Sequence, residues 1–165
     1  MSFLLIPPRV HTVSASRAST MKRTVLAHGT FDILHPGHID YLRLAKSKGD
    51  YLIVAIGTDR MATVRKGEGR PINTHEDRKA VVQAVQFVDE TTIAPDPTDD
   101  LLVNMLTLVK EIKPAVFVTS YPGFIERYAD VFEDLDVEIV IDDRKVNSST
   151  EIINRIVRRY GKNPA

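Results

Sequence analysis

The sequence predicts an α/β fold in which five strands form a parallel sheet, doubly wound by helices on both faces. Three observations carry this. From Thr24 onward, short β-branched runs alternate with longer amphipathic stretches; most of the runs are apolar enough to be buried; and Gly, Pro, Asp or Asn bound them. No internal repeat or low-complexity array interrupts the alternation.

Taken in order, the first strand is expected at Thr24 to His28, and apolar residues at Ile39, Leu42 and Ala45 begin a helical stripe over Ile39 to Ser47. A strand follows at Tyr51 to Ile56. The helix over His75 to Phe87 has Thr74 as its N-cap, with Glu76 and Asp77 in the first turn where acids suit the helix dipole. Next come a strand at Glu90 to Ala94, a helix over Leu101 to Ile112 closed by Pro114, and a strand at Ala115 to Thr119. A weaker helical stretch over Phe124 to Phe132 leads to a strand at Val137 to Ile141 and a last helix over Ser149 to Tyr160. Each apolar stripe is expected to face the sheet.

Residues 1–20 read differently. They contain Pro7-Pro8, four serines, Arg9 and Arg17, and the first acid of the chain is Asp32. The Phe3 to Ile6 run is too short for a secretory core, so a disordered extension over 1–20 is expected before a folded domain over 21–165. Met21, followed by Lys22-Arg23, marks a second place where the natural chain could start.

Composition narrows the function. With 165 residues, 43% hydrophobic and 27% charged, the chain has the size of one domain with a sizeable core. Lys plus Arg and Asp plus Glu each total 22, which gives no field to draw nucleic acid or an anionic membrane. The absence of cysteine excludes disulfides, thiol nucleophiles and cysteine zinc sites and fits a cytoplasmic protein. No apolar run approaches the ~20 residues of a membrane-spanning helix, so a soluble protein is expected.

The first strand runs into His28-Gly29-Thr30-Phe31-Asp32-Ile33-Leu34-His35-Pro36-Gly37-His38, a strand, a glycine-containing turn and a helix start. In an open α/β sheet such a junction lies at the carboxyl end of a strand, where helix N–H groups face anions. Gly29 permits a close ligand approach, Pro36 suits an early helical position, and two histidines three apart can present imidazole donors to one phosphate. A metal pair is the competing reading, but no third His or Cys completes a zinc set.

Gly29-Thr30-Phe31-Asp32 with His35-Pro36-Gly37-His38 resembles the double signature of the cytidylyltransferase-like nucleotidyltransferases, Rossmann-like relatives of class I aminoacyl-tRNA synthetases. The likeness continues through Gly49 to Ile56, Thr58-Asp59, Arg70-Pro71-Ile72-Asn73 and Glu76-Asp77-Arg78, and spans roughly Thr24 to Tyr160. Within the family the chain looks most similar to the adenylyltransferase domain that makes ADP-heptose, through Arg70 to Asn73, and to glycerol-3-phosphate cytidylyltransferase. Archaeal FAD synthases carry a similar first motif, but with a cysteine near the carboxyl end that this chain lacks.

The resemblance implies a nucleotidyltransferase domain over 21–165 that transfers a nucleotidyl group, AMP favoured over CMP, to a phosphorylated small molecule and releases pyrophosphate. It makes His35, His38 and Lys66 the catalytic residues and Gly29, Thr30, Phe31 and Gly37 part of the nucleotide site. Arg144 and a partial second signature at Asn147-Ser148-Ser149-Thr150 join that site, while Asp32 and Arg78 serve the substrate. Helix capping is the competing role for Ser148, Ser149 and Thr150, a turn-stabilising role that for Asp32, and a solvated surface charge that for Lys66 and Arg78. Val118 to Gly123 departs from the family's Gly-rich turn with an acid.

Attack by a phosphate on the α-phosphorus needs no strong base, so positioning and charge neutralisation suffice, with magnesium arriving on the nucleotide rather than in a protein cage. A non-catalytic nucleotide sensor is the alternative, and a tRNA-binding remnant would need a basic face the chain lacks. A homodimer is expected, with a nucleoside triphosphate and a phosphorylated small molecule as the other partners and no nucleic acid or membrane.

Overall fold

The computed structural model describes residues 22–121, 132–144 and 148–161. The expected extension over 1–20 and almost all of the weak helical stretch at Phe124 to Phe132 lie outside them. The elements are β1 (Thr24–Gly29), α1 (Pro36–Lys46), β2 (Tyr51–Ile56), α2 (Asp59–Lys66) and α3 (His75–Gln83), then β3 (Glu90–Ile93), α4 (Leu101–Ile112), β4 (Val116–Thr119), β5 (Glu138–Ile141) and α5 (Ser149–Tyr160). A 3-10 turn, Glu133–Leu135, precedes β5.

All four strand pairings are parallel and the sheet order is β3-β2-β1-β4-β5, so β1 sits at its centre. Successive side chains of β1 alternate between two cores, as the period of two demands. Val25 and Ala27 pack with Tyr41, Leu42 and Ala45 of α1 and Val82 of α3, whereas Leu26 packs with Met105, Leu108 and Val109 of α4. Helices therefore cover both faces, as expected for a doubly wound sheet. Each fully buried Val or Leu contributes roughly 1.5–3 kcal/mol relative to exposure.

Two helices depart from expectation. α3 ends at Gln83 rather than Phe87, its last N–H groups folding into turns at Ala84 and Val85. α2 was not read from the sequence at all: it is eight residues long, with only Met61 and Ala62 buried, and so has no apolar stripe to reveal it. Its local signals are those of a short helix. Thr58 Oγ1 accepts from the Met61 N–H at 3.2 Å, Asp59 lies in the first turn, and Gly67 ends it at φ 89°. Arg60 ties α2 to the segment after β3 through Asp96, Asp99 and the Thr98 carbonyl.

Candidate functional site

Because β1 is central and the chain crosses to opposite sides of it, the carboxyl ends of β1 and β4 mark the switch point of the sheet, where open α/β folds bind ligands. A cleft of about 860 Å³ opens there. The loop after β1, the first turns of α1 and α5, the end of α2 and the ends of β4 and β5 enclose it.

The loop between β1 and α1 is held in an unusual shape. Phe31 (φ 53°) and Ile33 (φ 49°) both occupy the left-handed region, a cost of order 1–3 kcal/mol each for residues other than glycine. Gly29 is required here because a Cβ would stand 2.9 Å from the Phe31 ring. The residue between the two strained positions pins the loop. Asp32 is fully buried and accepts hydrogen bonds from the Ile72 N–H (2.9 Å), the Asn73 N–H (3.1 Å) and the Arg70 guanidinium (3.1 and 3.2 Å). Burial pushes its carboxyl up, but those N–H groups and Arg70 outweigh it and hold the group below the ordinary carboxylate range. The Ser149 hydroxyl donates to the Asp32 carbonyl and anchors the start of α5 to the same loop.

This corrects the expectation that Asp32 serves the substrate: it faces away from the cleft and acts as the turn-stabilising alternative does. Arg78 is corrected in the same way. It is 2% exposed, and its guanidinium donates to the carbonyls of Thr30, Gly57 (2.8 Å) and Asn73 (3.0 Å) and to Asp59 (2.7 Å). Arg78 is thus neither a substrate ligand nor a solvated charge but a brace joining the ends of β1 and β2 to α2 and the α2–α3 loop.

The remaining residues singled out from the sequence line the cleft: Gly29, Thr30, Phe31, His35, Gly37, His38, Lys66, Arg144, Ser148, Ser149 and Thr150. His35 and His38 stack with ring centroids 3.7 Å apart and planes inclined by 21°. The Nδ1 atoms of both are buried and have no hydrogen-bond partner among the described residues. Burial, then the Lys66 cation, lowers His35; burial, His35 and Lys66 push His38 down to about 3. Burial and the neighbouring Arg70 and Arg65 cations in turn lower Lys66. His35 is also the N-cap of α1, without a side-chain cap bond; Pro36 at N1 has no N–H and the His38 N–H donates to the His35 carbonyl, so the Gly37 N–H is the first-turn donor left available to an anion among the described residues. The arrangement presents neutral imidazoles, Lys66 and Arg65 with no ion-pair partner among the described residues, and a helix start around one cleft, each of which gains when a polyanion arrives.

Around the second signature the roles separate. Ser148 caps α5 in a capping box with Glu151, Ser149 ties the loop, and Thr150 Oγ1 meets Arg70 at 3.3 Å. Asn147 lies outside the described residues. Arg144 reaches the cleft, but its guanidinium is forked onto buried Asp142 at 2.6 and 2.8 Å. Tyr121 lines the cleft within the segment whose sequence departs from the family, while Pro122 and Gly123 lie outside the described residues. Sequence reasoning missed Arg65 and Asp142, both on the cleft wall. The signal for Arg65 was its place beside Lys66 on the unrecognised α2; nothing local marked Asp142.

No group of three or more His, Cys, Asp or Glu side chains positioned to hold a metal occurs among the described residues, and none of their helices is long and apolar enough to cross a membrane.

The sequence pattern of the cytidylyltransferase-like family matches residues 26–157. The chain is 36% identical over 137 residues to the bifunctional protein HldE of Campylobacter fetus subsp. fetus (strain 82-40), covering 82% of this chain and 28% of that protein. It is 37% identical over 142 residues to the HldE protein of Pseudomonas syringae pv. syringae (strain B728a), covering 85% of this chain and 29% of the relative. The chain therefore spans under a third of the length of these relatives. Among solved structures it superposes on a lipopolysaccharide core biosynthesis protein from Thermoplasma volcanium GSS1 with a TM-score of 0.62 at 28% identity, covering 76% of this chain and all of that one. A pantoate-beta-alanine ligase from Francisella tularensis, at 17% identity and a TM-score of 0.58, covering 88% of this chain and 74% of that one, shares the fold. With the family pattern spanning both signature segments and most of the folded residues, this chain belongs to the cytidylyltransferase-like family.

Proposed function

We propose that the chain is a nucleotidyltransferase that transfers AMP from ATP to a sugar phosphate and releases pyrophosphate. The observation that carries this is the stacked His35–His38 pair, with both Nδ1 atoms without a partner among the described residues, lining with Lys66 a cleft at the switch point of the sheet. Family membership supports the reaction class. The resemblance of Arg70 to Asn73 to the ADP-heptose adenylyltransferase domain, the HldE relatives and the likeness to a lipopolysaccharide core biosynthesis protein support a sugar phosphate acceptor.

In this reading an acceptor phosphate oxygen attacks the α-phosphorus, the bond to the β-phosphate breaks, and pyrophosphate leaves with the electron pair. His35 and His38 donate N–H groups to the triphosphate oxygens on which charge builds, and Lys66 and the start of α1 neutralise the departing pyrophosphate. Thr30 and Phe31 line the nucleotide site, and the Asp32 clamp keeps the loop shaped for it. Among the described residues no group of three or more His, Cys, Asp or Glu side chains is placed to hold a metal, and in this reading magnesium enters with the triphosphate as part of the substrate.

The test is incubation of the purified chain with magnesium, ATP or CTP, and a panel of sugar phosphates, glycerol 3-phosphate and flavin mononucleotide, following pyrophosphate. Release with ATP and a sugar phosphate is expected. Release only with CTP and glycerol 3-phosphate would reassign base and acceptor, and nucleotide binding without turnover across the panel would favour the sensor. The proposal extends to a cytoplasmic homodimer: Ile156, Val157 and Tyr160 on α5 are 51%, 57% and 73% exposed, an apolar face available for self-association that sedimentation would reveal as twice the chain's 18.5 kDa mass.

A further inference from the structure

The nucleotide site leaves His28 and Arg65 without a task. His28 stands at the end of β1, its carbonyl accepting from the Tyr41 hydroxyl at 3.3 Å. Its imidazole lines the cleft, half-buried, and makes no hydrogen bond among the described residues. Burial and the Arg65 cation push it down to about 4, so near neutral pH it donates through one nitrogen and accepts through the other. Arg65 lines the same wall and has no acidic partner among the described residues.

Behind His28 lies a nook of about 20 Å³. That is room for roughly one water-sized group. The nook shares His28, Thr30, Arg65 and Leu101 with the main cleft. Its other polar side chains are engaged. Asp96 accepts from Thr58 and Arg60, and Asn104 donates to the Thr98 carbonyl at 2.8 Å and accepts from the Thr98 N–H at 3.4 Å. The imidazole is left with unused hydrogen-bonding capacity at a junction that fits a hydroxyl and is too small for a phosphate or a ring.

We propose that His28 and Arg65 form an acceptor subsite selective for polyhydroxylated phosphates: Arg65 binds an oxygen of the acceptor's phosphate, and His28 exchanges hydrogen bonds with a hydroxyl of its carbon skeleton that enters the nook. This rests on the transferase reading and narrows its substrate class. A hydroxyl both donates and accepts, as the neutral imidazole does, so neither group is left unpaired. An acceptor without hydroxyls would leave the imidazole desolvated and unsatisfied.

The test measures kcat and KM for ATP and for mannose 1-phosphate and heptose 1-phosphate in the wild type, His28→Ala, His28→Gln and Arg65→Ala, with phosphoethanolamine as the acceptor lacking hydroxyls. The sugar phosphate KM is expected to rise about 10-fold in His28→Ala and about 10- to 100-fold in Arg65→Ala, from the loss of one neutral and one charge-assisted hydrogen bond. The ATP KM should stay within about twofold, and His28→Gln, which keeps a donor and an acceptor, should recover most of the loss. An equal rise in the ATP KM, no recovery in His28→Gln, or equal use of phosphoethanolamine and sugar phosphate by the wild type would overturn the subsite. Calorimetric binding of the same sugar phosphates to protein saturated with a non-hydrolysable ATP analogue separates the two proposals. Binding weakened by His28→Ala without any turnover would remove the transferase and keep the subsite; no sugar phosphate binding to the wild type would remove the subsite, whatever the turnover.

Discussion

Replacing Asp32 by alanine strips the partner from two backbone N–H groups, at Ile72 and Asn73, and from the Arg70 guanidinium, whose side chain is 11% exposed. Removing one member of a buried ion pair costs about 3–5 kcal/mol, and each stranded N–H adds roughly 1–3 kcal/mol. These terms overlap, and water entering the gap recovers part of them, so about 4 kcal/mol is the working figure. That is a large share of the ~5–15 kcal/mol that holds a domain together. At roughly 2–4 °C per kcal/mol for a chain of this size, the midpoint of melting should fall by about 8–16 °C. Asp32→Asn, which keeps one carbonyl oxygen for the N–H groups but loses the charge, should cost about half as much. Urea unfolding followed by circular dichroism, with the slope m unchanged, supplies the free energies. If Asp32→Ala costs under about 1 kcal/mol while the KM for the acceptor climbs, the carboxylate faces a ligand and the clamp argument is wrong.

His35→Ala and His38→Ala should each lower kcat by about 10²–10³ with stability nearly unchanged, the scale for losing one donor to a charged transition state, and the double variant should lose little more than the worse single one; full turnover in either would sever the activity from this loop. Burial and the neighbouring cations hold both imidazoles below their ordinary 6.5, and a triphosphate raises them, so binding near pH 6 should take up protons. Equal calorimetric enthalpies in buffers of different ionisation heat would exclude that uptake. In the free protein His28 and His38 are held to about 4 and about 3, below the 6.5 of the unfolded chain, so unfolded molecules take protons first as the pH drops. Stability is whole above about pH 6.5 and declines from there toward those lower values; a urea midpoint that stays flat from pH 7 to pH 5 would contradict it. Ser149→Ala, which removes the hydroxyl donated to the Asp32 carbonyl, should cost about 1 kcal/mol and weaken nucleotide binding, whereas an unchanged dissociation constant would make Ser149 a packing residue only.

β1, β2 and β4 were legible because each is a short apolar run on a parallel sheet, where burial on both faces leaves a clear pattern; edge strand β3, Glu90-Thr91-Thr92-Ile93, has none of its residues buried and showed only its β-branched run, and the ends of all five agree with expectation to within one residue. The phosphate-facing loop was legible because Gly29, Pro36 and the paired histidines each have a local backbone or chemical reason to be there. What escaped depends on distant parts of the chain meeting. Arg70 finds Asp32 across 38 positions and Arg78 finds the Thr30 carbonyl across 48, and no local pattern announces either. α2 escaped for the opposite reason, since its signals were local but too brief to form a stripe. The stripe of α5 misled in another way. Ile156, Val157 and Tyr160 have the spacing of a face turned to the sheet, yet they lie exposed, because periodicity records that a surface is apolar and not what covers it.

Arg78 has a consequence for how such a site can diversify. One guanidinium serves three carbonyls and a carboxylate that come from three separate stretches of chain, and no other side chain type carries donors in that spread. This joint behind the loop after β1 is therefore a keystone, closed to piecemeal redesign because any replacement must answer all four acceptors at once. The rim obeys no such constraint: Arg65 and Ser120 are exposed, and exchanging them disturbs no strand. A protein engineer seeking a new acceptor would work along that rim and inherit the chemistry below it unaltered.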